Sequence, residues 1–180
     1  MSNEPLRLSD LLSEVGEETI SSLLSTFRCT ADADAEYFLK NRAVMHEKDS
    51  VSRTYILLKS DYGKPIIKGY YTLAMKCLAI DEKRTISKKM RKEMNINNGI
   101  AQSYLLGQLA KADGVEKGFG KIMINRALDT FGKGKEMFGC RTLRLDCKNE
   151  SKLIDYYISC GFKPIGRADK GDLNRMVMIF

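Results

Sequence analysis

The residues best suited to chemistry lie in two short runs. In the first, Gly118-Phe119-Gly120 stands where a strand-like stretch gives way to a helical one. The N–H groups of a helix's first turn have no intrahelical partner and carry partial positive charge. Glycines let that main chain come close to a phosphate, so the loop can hold a pyrophosphate or be only a tight turn. The dinucleotide fingerprint G-x-G-x-x-G is absent, because its third glycine place holds Met123. The G-x-x-x-x-G-K-S/T pattern fails too, because Ile122 follows Lys121. In the second run, Asn149 precedes a helix with adjacent Tyr156 and Tyr157, closed by Cys160-Gly161-Phe162. Such a tyrosine is either core, with Leu153, Tyr157 and Ile158 turned inward, or a phenol with work to do; buried, it needs a hydrogen-bond partner either way.

Other chemistries drop out by composition. His46 is the only histidine, so a histidine-rich metal site and any mechanism with two histidines are excluded. A nucleophile triad would have to use His46, and no G-x-S-x-G elbow exists to serve it. The five cysteines, Cys29, Cys77, Cys140, Cys147 and Cys160, are odd in number and include no C-x-x-C pair. Neither a disulfide framework nor a zinc knuckle is suggested, and Cys147 and Cys160 are read as small core residues. No metal is expected. The chain of 180 residues carries a net charge of +7, unevenly spread. Residues 1–36 hold eight acids and two bases, and the remainder holds 28 bases and 15 acids. A basic body attracts phosphate-rich partners, or is simply a soluble surface. Lys83, Arg84, Lys88, Lys89, Arg91 and Lys92 crowd six bases into ten positions, as a solvated face or a nucleic-acid patch. No apolar run approaches the roughly 20 residues that span a bilayer, and the acidic N-terminus does not resemble a secretory signal. A cytoplasmic protein without membrane contact is the expectation.

The elements that must position these residues can be read from periodicity. Residues 9–26 read as one or two short helices and 33–47 as a helix capped by Asp32 or Asp34. Residues 52–60 and 66–80 are β-rich runs around the turn Asp61-Tyr62-Gly63-Lys64-Pro65, a hairpin. Residues 82–94 form a basic helix candidate and 101–112 a strand. A helix over 120–134 and a strand over 141–148 follow. A helix over 149–161 is capped at Asn149 or Ser151 and stopped at Gly161. The segments on either side of Asp169-Lys170-Gly171-Asp172 form a closing hairpin. Helices, a hairpin, two strand–helix units and a hairpin make an α+β fold, a mixed sheet covered by helices. No linker divides the chain, so a single domain over 1–180 is expected, with 1–30 an acidic helical segment.

Two blocks in order, residues 106–128 and 143–162, resemble the GNAT superfamily of acetyl-CoA-dependent acetyltransferases. The family's phosphate loop, (Gln/Arg)-x-x-Gly-x-Gly/Ala, falls on Val115 through Gly120. Its later signature, a strand, an Asn and a helix ending Tyr-x-x-x-Gly-Phe, falls on Asn149, Tyr157, Gly161 and Phe162. Val115 departs from Gln/Arg. Glu116 sits where glycine is common, and an acid beside a pyrophosphate is unfavourable. Upstream, Phe27, Cys29, Arg53-Thr54-Tyr55, Gly69-Tyr70-Tyr71, Leu73, Leu106-Gly107, Leu109 and Ala110 resemble the acetyltransferase toxins of bacterial toxin–antitoxin pairs. Arg28, Thr30 and Gln108 depart from that pattern.

The resemblance implies a mostly antiparallel GNAT-like sheet and acetyl-CoA as co-substrate. It implies that main-chain groups of Leu109, Ala110 and Lys111 hold the thioester and pantetheine arm. Amides of Lys117, Gly118, Phe119, Gly120 and Lys121 would hold the pyrophosphate, and Asn149 the cofactor arm. A neutral amine would attack the thioester directly, with Tyr157 as general acid for the departing thiolate. The acceptor it implies is the amino group of aminoacyl-tRNA, and acetylating it stops translation. It leaves open an antitoxin partner and a homodimer. Two rivals stand beside it: a GNAT enzyme acting on a small amine or a protein N-terminus, and a non-catalytic acyl-CoA or nucleic-acid binding module.

Overall fold

The computed structural model describes residues 4–80, 86–168 and 172–180. Its packing divides the chain into two compact units, residues 1–74 with 108–129 and residues 75–107 with 130–180. In chain order the elements are β1 (Leu6–Arg7), α1 (Leu8–Val15), α2 (Glu17–Ser25), α3 (Ala33–Asn41), α4 (Ala43–Lys48), β2 (Arg53–Asp61) and β3 (Lys64–Met75). There follow β4 (Leu78–Ala79), α5 (Lys88–Glu93), β5 (Ile100–Ala101), β6 (Tyr104–Lys111), α6 (Phe119–Phe138) and β7 (Thr142–Lys148). The chain closes with α7 (Ser151–Ser159), β8 (Lys163–Arg167) and β9 (Leu173–Ile179). The strand order is β1-β2-β3-β6-β7-β9-β8; β6–β7 is parallel, and β1–β2, β2–β3, β7–β9 and β8–β9 are antiparallel. This is the α+β fold with a mixed, mostly antiparallel sheet that the sequence led us to expect.

Local chemistry explains the elements of the first unit. The helix expected over 33–47 is two helices, broken at Arg42, with Asp32 accepting from the Ala35 N–H at its start. The hairpin β2–β3 turns tightly at Tyr62 and Gly63, both in the left-handed region where glycine costs least. Its ladder is regular except at one place: Leu57 faces Gly69 and Leu58 faces Ile67, so Lys68 is the extra residue of a β-bulge. A bulge kinks its strand and re-aims a side chain. The core of this unit gathers Leu8, Ile20, Leu24, Phe27, Leu39, Ile56, Ile67 and Tyr70. Tyr70 sits edge-on to Phe27, with ring centroids 5.5 Å apart, and its hydroxyl donates to the Ala35 carbonyl at 2.6 Å. The burial is therefore compatible with a polar tip.

In the second unit, β7 pairs with β9 along its whole length, Thr142 with Ile179 through Lys148 with Leu173. The basic segment is described from Ile86 onward. Among the described residues of this segment Lys88–Glu93 is helical, started by the Ser87 hydroxyl accepting from the Met90 N–H at 3.1 Å. Lys83 and Arg84 lie outside the described residues. Helix α6 runs further than 120–134, continuing to Phe138. The strand expected to run to residue 80 stops at Met75, and β4 instead pairs with β5 in a small separate sheet.

Gly69, beside the bulge, marks a close approach of chains. A Cβ there would lie 2.7 Å from Met123 Sδ and 2.8 Å from the Ala110 carbonyl oxygen, and the carbonyl cannot swing aside. Gly69→Ala should cost roughly 1–3 kcal/mol through overpacking. That is a fall of several degrees in Tm for a chain of this size, at about 2–4 °C per kcal/mol. Thermal unfolding measures it, and an unchanged Tm would show that β3 moves freely over α6.

Candidate active site

The site begins with two parallel strands that part. Strand β6 pairs with β7 only at Tyr104–Leu143 and Leu105–Arg144. Those two rungs are the register of the pair: beyond them, among the described residues, Leu106 and Gly107 face no residue of β7, nor do Leu145, Asp146 and Cys147 face one of β6. Buried peptide groups are nearly always paired, so strands that separate leave main-chain donors and acceptors for another occupant. On β7 the other edge is held by β9, which leaves the edge toward β6 as the one that opens.

In the first unit, β6 continues through Leu109, Ala110 and Lys111. The Gln108 N–H donates to Thr72 Oγ1 at 2.9 Å, so one peptide group is satisfied by a side chain and not by a ladder partner. The chain then enters a loop that is tied down at several points. The Ala112 N–H donates to the Lys68 carbonyl at 2.8 Å, and the Asp113 N–H to the Arg28 carbonyl at 2.9 Å. Asp113 in turn accepts from the Thr30 N–H and hydroxyl at 3.0 and 3.1 Å. Arg28 and Thr30, two departures from the resembled pattern, therefore form the wall that seats this loop. Lys111 Nζ donates to the Val115 carbonyl at 2.8 Å. Gly118 has φ +93° and open space where a Cβ would stand. Phe119, the first residue of α6, is completely buried and anchors the helix start. Lys117 and Lys121 are exposed beside it, and Gly120 is half-buried. The loop is thus pinned by its neighbours and offers glycine main chain at a helix N-terminus, the arrangement that suits a phosphate.

Glu116 is not the liability its charge implies. Its Oε1 lies 2.7 Å from Lys68 Nζ, and the hydrogen bond from Lys68 holds its carboxyl below the usual carboxylate range.

In the second unit, Tyr157 is buried at 8% exposure. Its position follows from how α7 ends. The Gly161 N–H donates to the Ile158 carbonyl at 2.9 Å and the Phe162 N–H to the Tyr157 carbonyl at 3.1 Å. Gly161 takes φ +98°. This is the glycine stop of a helix, with Tyr157 and Phe162 in the two positions that commonly touch across it. Their rings do so, edge to face, with centroids 5.9 Å apart. Tyr-x-x-x-Gly-Phe is therefore a folding signal before it is a chemical one: glycine turns the chain back, and Phe162 props the tyrosine. Tyr156, next to it, is half-buried, and burial first of all pushes its phenol up. The inward set is not as the helix pattern suggested. Leu153 is half-buried and Ile158 is 47% exposed.

Asn149 does not cap α7. The cap position is Glu150, extended and without a side-chain bond, while Asn149 Oδ1 accepts from Asn174 Nδ2 at 2.7 Å. Its side chain is held by β9, so its amide is oriented before any ligand arrives. Arg53, in the first unit, donates to the Glu47 carbonyl at 2.9 Å and pairs with the Glu47 carboxylate at 3.2 Å, a structural role. Cys147 and Cys160 are buried, and burial pushes the Cys147 thiol up, as expected for core residues. On β7 and β9, Arg144 and Arg175 share the Asp146 carboxylate at 3.6 and 2.9 Å. This cluster escaped sequence reading, since no spacing rule links Asp146 to Arg175. Among the described residues no group of His, Cys, Asp and Glu could hold a metal.

No family model matches the sequence, and no curated protein matches it. Solved structures do match. AtaT in complex with acetyl-methionyl-tRNAfMet superposes with a TM-score of 0.70 at 23% identity, over 87% of this chain and 86% of that one. A tyrosine-to-phenylalanine mutant of KacT gives 0.69 at 22% identity, over 88% and 89%. AtaTR bound with acetyl-CoA gives 0.66 at 25% identity, over 87% and 86%.

The fold is that of AtaT and KacT.

The left-handed turn at Gly161 gives a first test. Gly161→Ala should cost roughly 1–2 kcal/mol from φ alone, with more from Met178 Cε, 3.2 Å from the added Cβ. Denaturant unfolding reads it. A variant as stable as the parent would mean that the helix stop does not fix Tyr157.

Proposed function

We propose that the chain is an acetyl-CoA-dependent N-acetyltransferase that transfers acetyl to the amino group of aminoacyl-tRNA and so blocks translation, acting over its whole length as one catalytic domain in the cytoplasm. The observation that carries this reading is the parallel pair β6–β7, which opens after two rungs in a fold matched to AtaT with acetyl-methionyl-tRNAfMet and with acetyl-CoA.

Main-chain groups of Leu109, Ala110 and Lys111 line the thioester and pantetheine arm. The amides of Lys117 through Lys121 take the pyrophosphate, and Asn149 steadies the arm. The amine nitrogen attacks the thioester carbonyl, the C–S bond breaks, and the thiolate leaves. Tyr157 gives that thiolate its proton, and the amine's surplus proton passes to water, from which the Tyr157 phenolate takes a proton back. Orientation supplies much of the rate: well-placed reactants gain on the order of 7–11 kcal/mol over free ones. Tyrosine-to-phenylalanine mutants of both AtaT and KacT have been solved, which supports attention to a tyrosine in this fold. The exposed bases of α5, Lys88, Lys89 and Lys92, with Arg91 half-buried, face solvent where a tRNA backbone can reach them. AtaT has been solved with the C-terminus of the antitoxin AtaR, and by likeness we propose an antitoxin partner here.

Tyr157→Phe should lower turnover by about 10²–10⁴, the usual worth of a positioned proton donor. Acetyl-CoA affinity should stay within a few fold of the parent. Stopped turnover together with abolished binding would make Tyr157 a packing residue. Translation in an extract should stop only when both the protein and acetyl-CoA are present; inhibition indifferent to acetyl-CoA, or none, would favour the rival acceptors. Replacing Lys88, Lys89, Arg91 and Lys92 together by glutamine should weaken tRNA binding and flatten its salt dependence, by about 0.7–0.9 in log–log slope for each phosphate no longer neutralised. An unchanged slope removes α5 from the interface.

A further inference from the structure

We infer that Lys68 is a positioning residue for the phosphate-bearing ligand, acting by neutralising Glu116 inside the loop; this rests on the acetyl-CoA reading above. Three features meet at Lys68. It is the extra residue of the bulge on β3, unpaired with β2, so its placement is set by an interruption of the ladder. Its own carbonyl receives the Ala112 N–H at the root of the loop. Its ammonium lies 2.7 Å from Glu116 Oε1 and 4.1 Å from the centroid of the buried Phe119 ring. The side chain is only 13% exposed, whereas the Glu116 side chain is 59% exposed. A sheltered cation held over an aromatic face loses little freedom on pairing.

The consequence concerns charge. Glu116 and Gly118 belong to the short loop that leads into α6 at Phe119 and Gly120, and a bare carboxylate there would repel a pyrophosphate. With Lys68 against it, the loop presents no net charge at that point, and the glycine amides can act. Lysine, and not a glycine at position 116, lets this chain keep an acid in a phosphate loop. The bulge, the carbonyl bond and the cation–aromatic pair all fall on one residue, and no sequence rule joins Lys68 to Glu116 across 48 positions.

A double-mutant cycle on the full chain tests it, read by calorimetric titration of CoA at low and high salt. Lys68→Met should weaken CoA binding by about tenfold or more at low salt, the size expected for one unscreened unit charge near a multiply charged anion. The loss should shrink at high salt. Glu116→Gln added to it should restore affinity to within about threefold of the parent, a rescue that a structural defect would not show. An equal loss in both backgrounds would mean that Lys68 touches the phosphate itself or only supports the fold, and would overturn the inference, as would no loss at all. If the parent binds CoA and the cycle shows no coupling, this inference alone fails. If the parent binds no CoA, the acetyl-CoA reading fails and takes the inference with it.

Discussion

Peptide groups at a strand edge must find partners, and β6 stops finding them on β7 after Leu105. Everything proposed for this chain depends on that interruption. A parallel pair that stayed zipped to its ends would satisfy its own backbone and offer nothing to a ligand. Here β9 holds one edge of β7 along seven residues, while the other edge has two rungs. Past those rungs β6 runs on toward the glycine loop. A long, narrow thioester with an amide-bearing arm suits such an edge, because its peptide-like groups can take the place of strand partners.

The rest of the molecule makes the interruption tolerable. In the first unit, the loop after β6 is fastened by Arg28, Thr30, Lys68 and Lys111, through bonds to Asp113, Ala112 and Val115. Its glycine main chain is therefore presented by a rigid surround. In the second unit, the helix stop at Gly161 and the ring of Phe162 fix Tyr157, and Asn174 fixes Asn149. Holding groups in place in this way is how a site gains rate from orientation.

The sequence carried much of this, for identifiable reasons. Alternation and turn chemistry gave β2 and β3, alternation gave β7, β8 and β9, and Gly161 gave the end of α7; the turn expected at residues 169–172 lies mostly outside the described residues. Tyr157 was legible because its role in the helix stop imposes a fixed spacing to Gly161 and Phe162. Three things were not legible. The bulge at Lys68 depends on register between two strands, which no single run of residues records. The break at Arg42 divides a stretch whose helical periodicity continues across it. Asn149 looked like a cap by type, but its tertiary bond with Asn174 took the side chain instead. Glu116 is the most instructive departure: read along the chain it opposes a phosphate, and read in space it is one half of an ion pair.

Amide hydrogen exchange, followed with and without saturating CoA, addresses the open edge directly. The account predicts slowed exchange along Leu106–Lys111 and at Lys117–Lys121, with β2 and β8 unaffected. Bound CoA with no protection on β6 would contradict it, because the ligand would then be held by some surface other than the strand edge that β7 leaves.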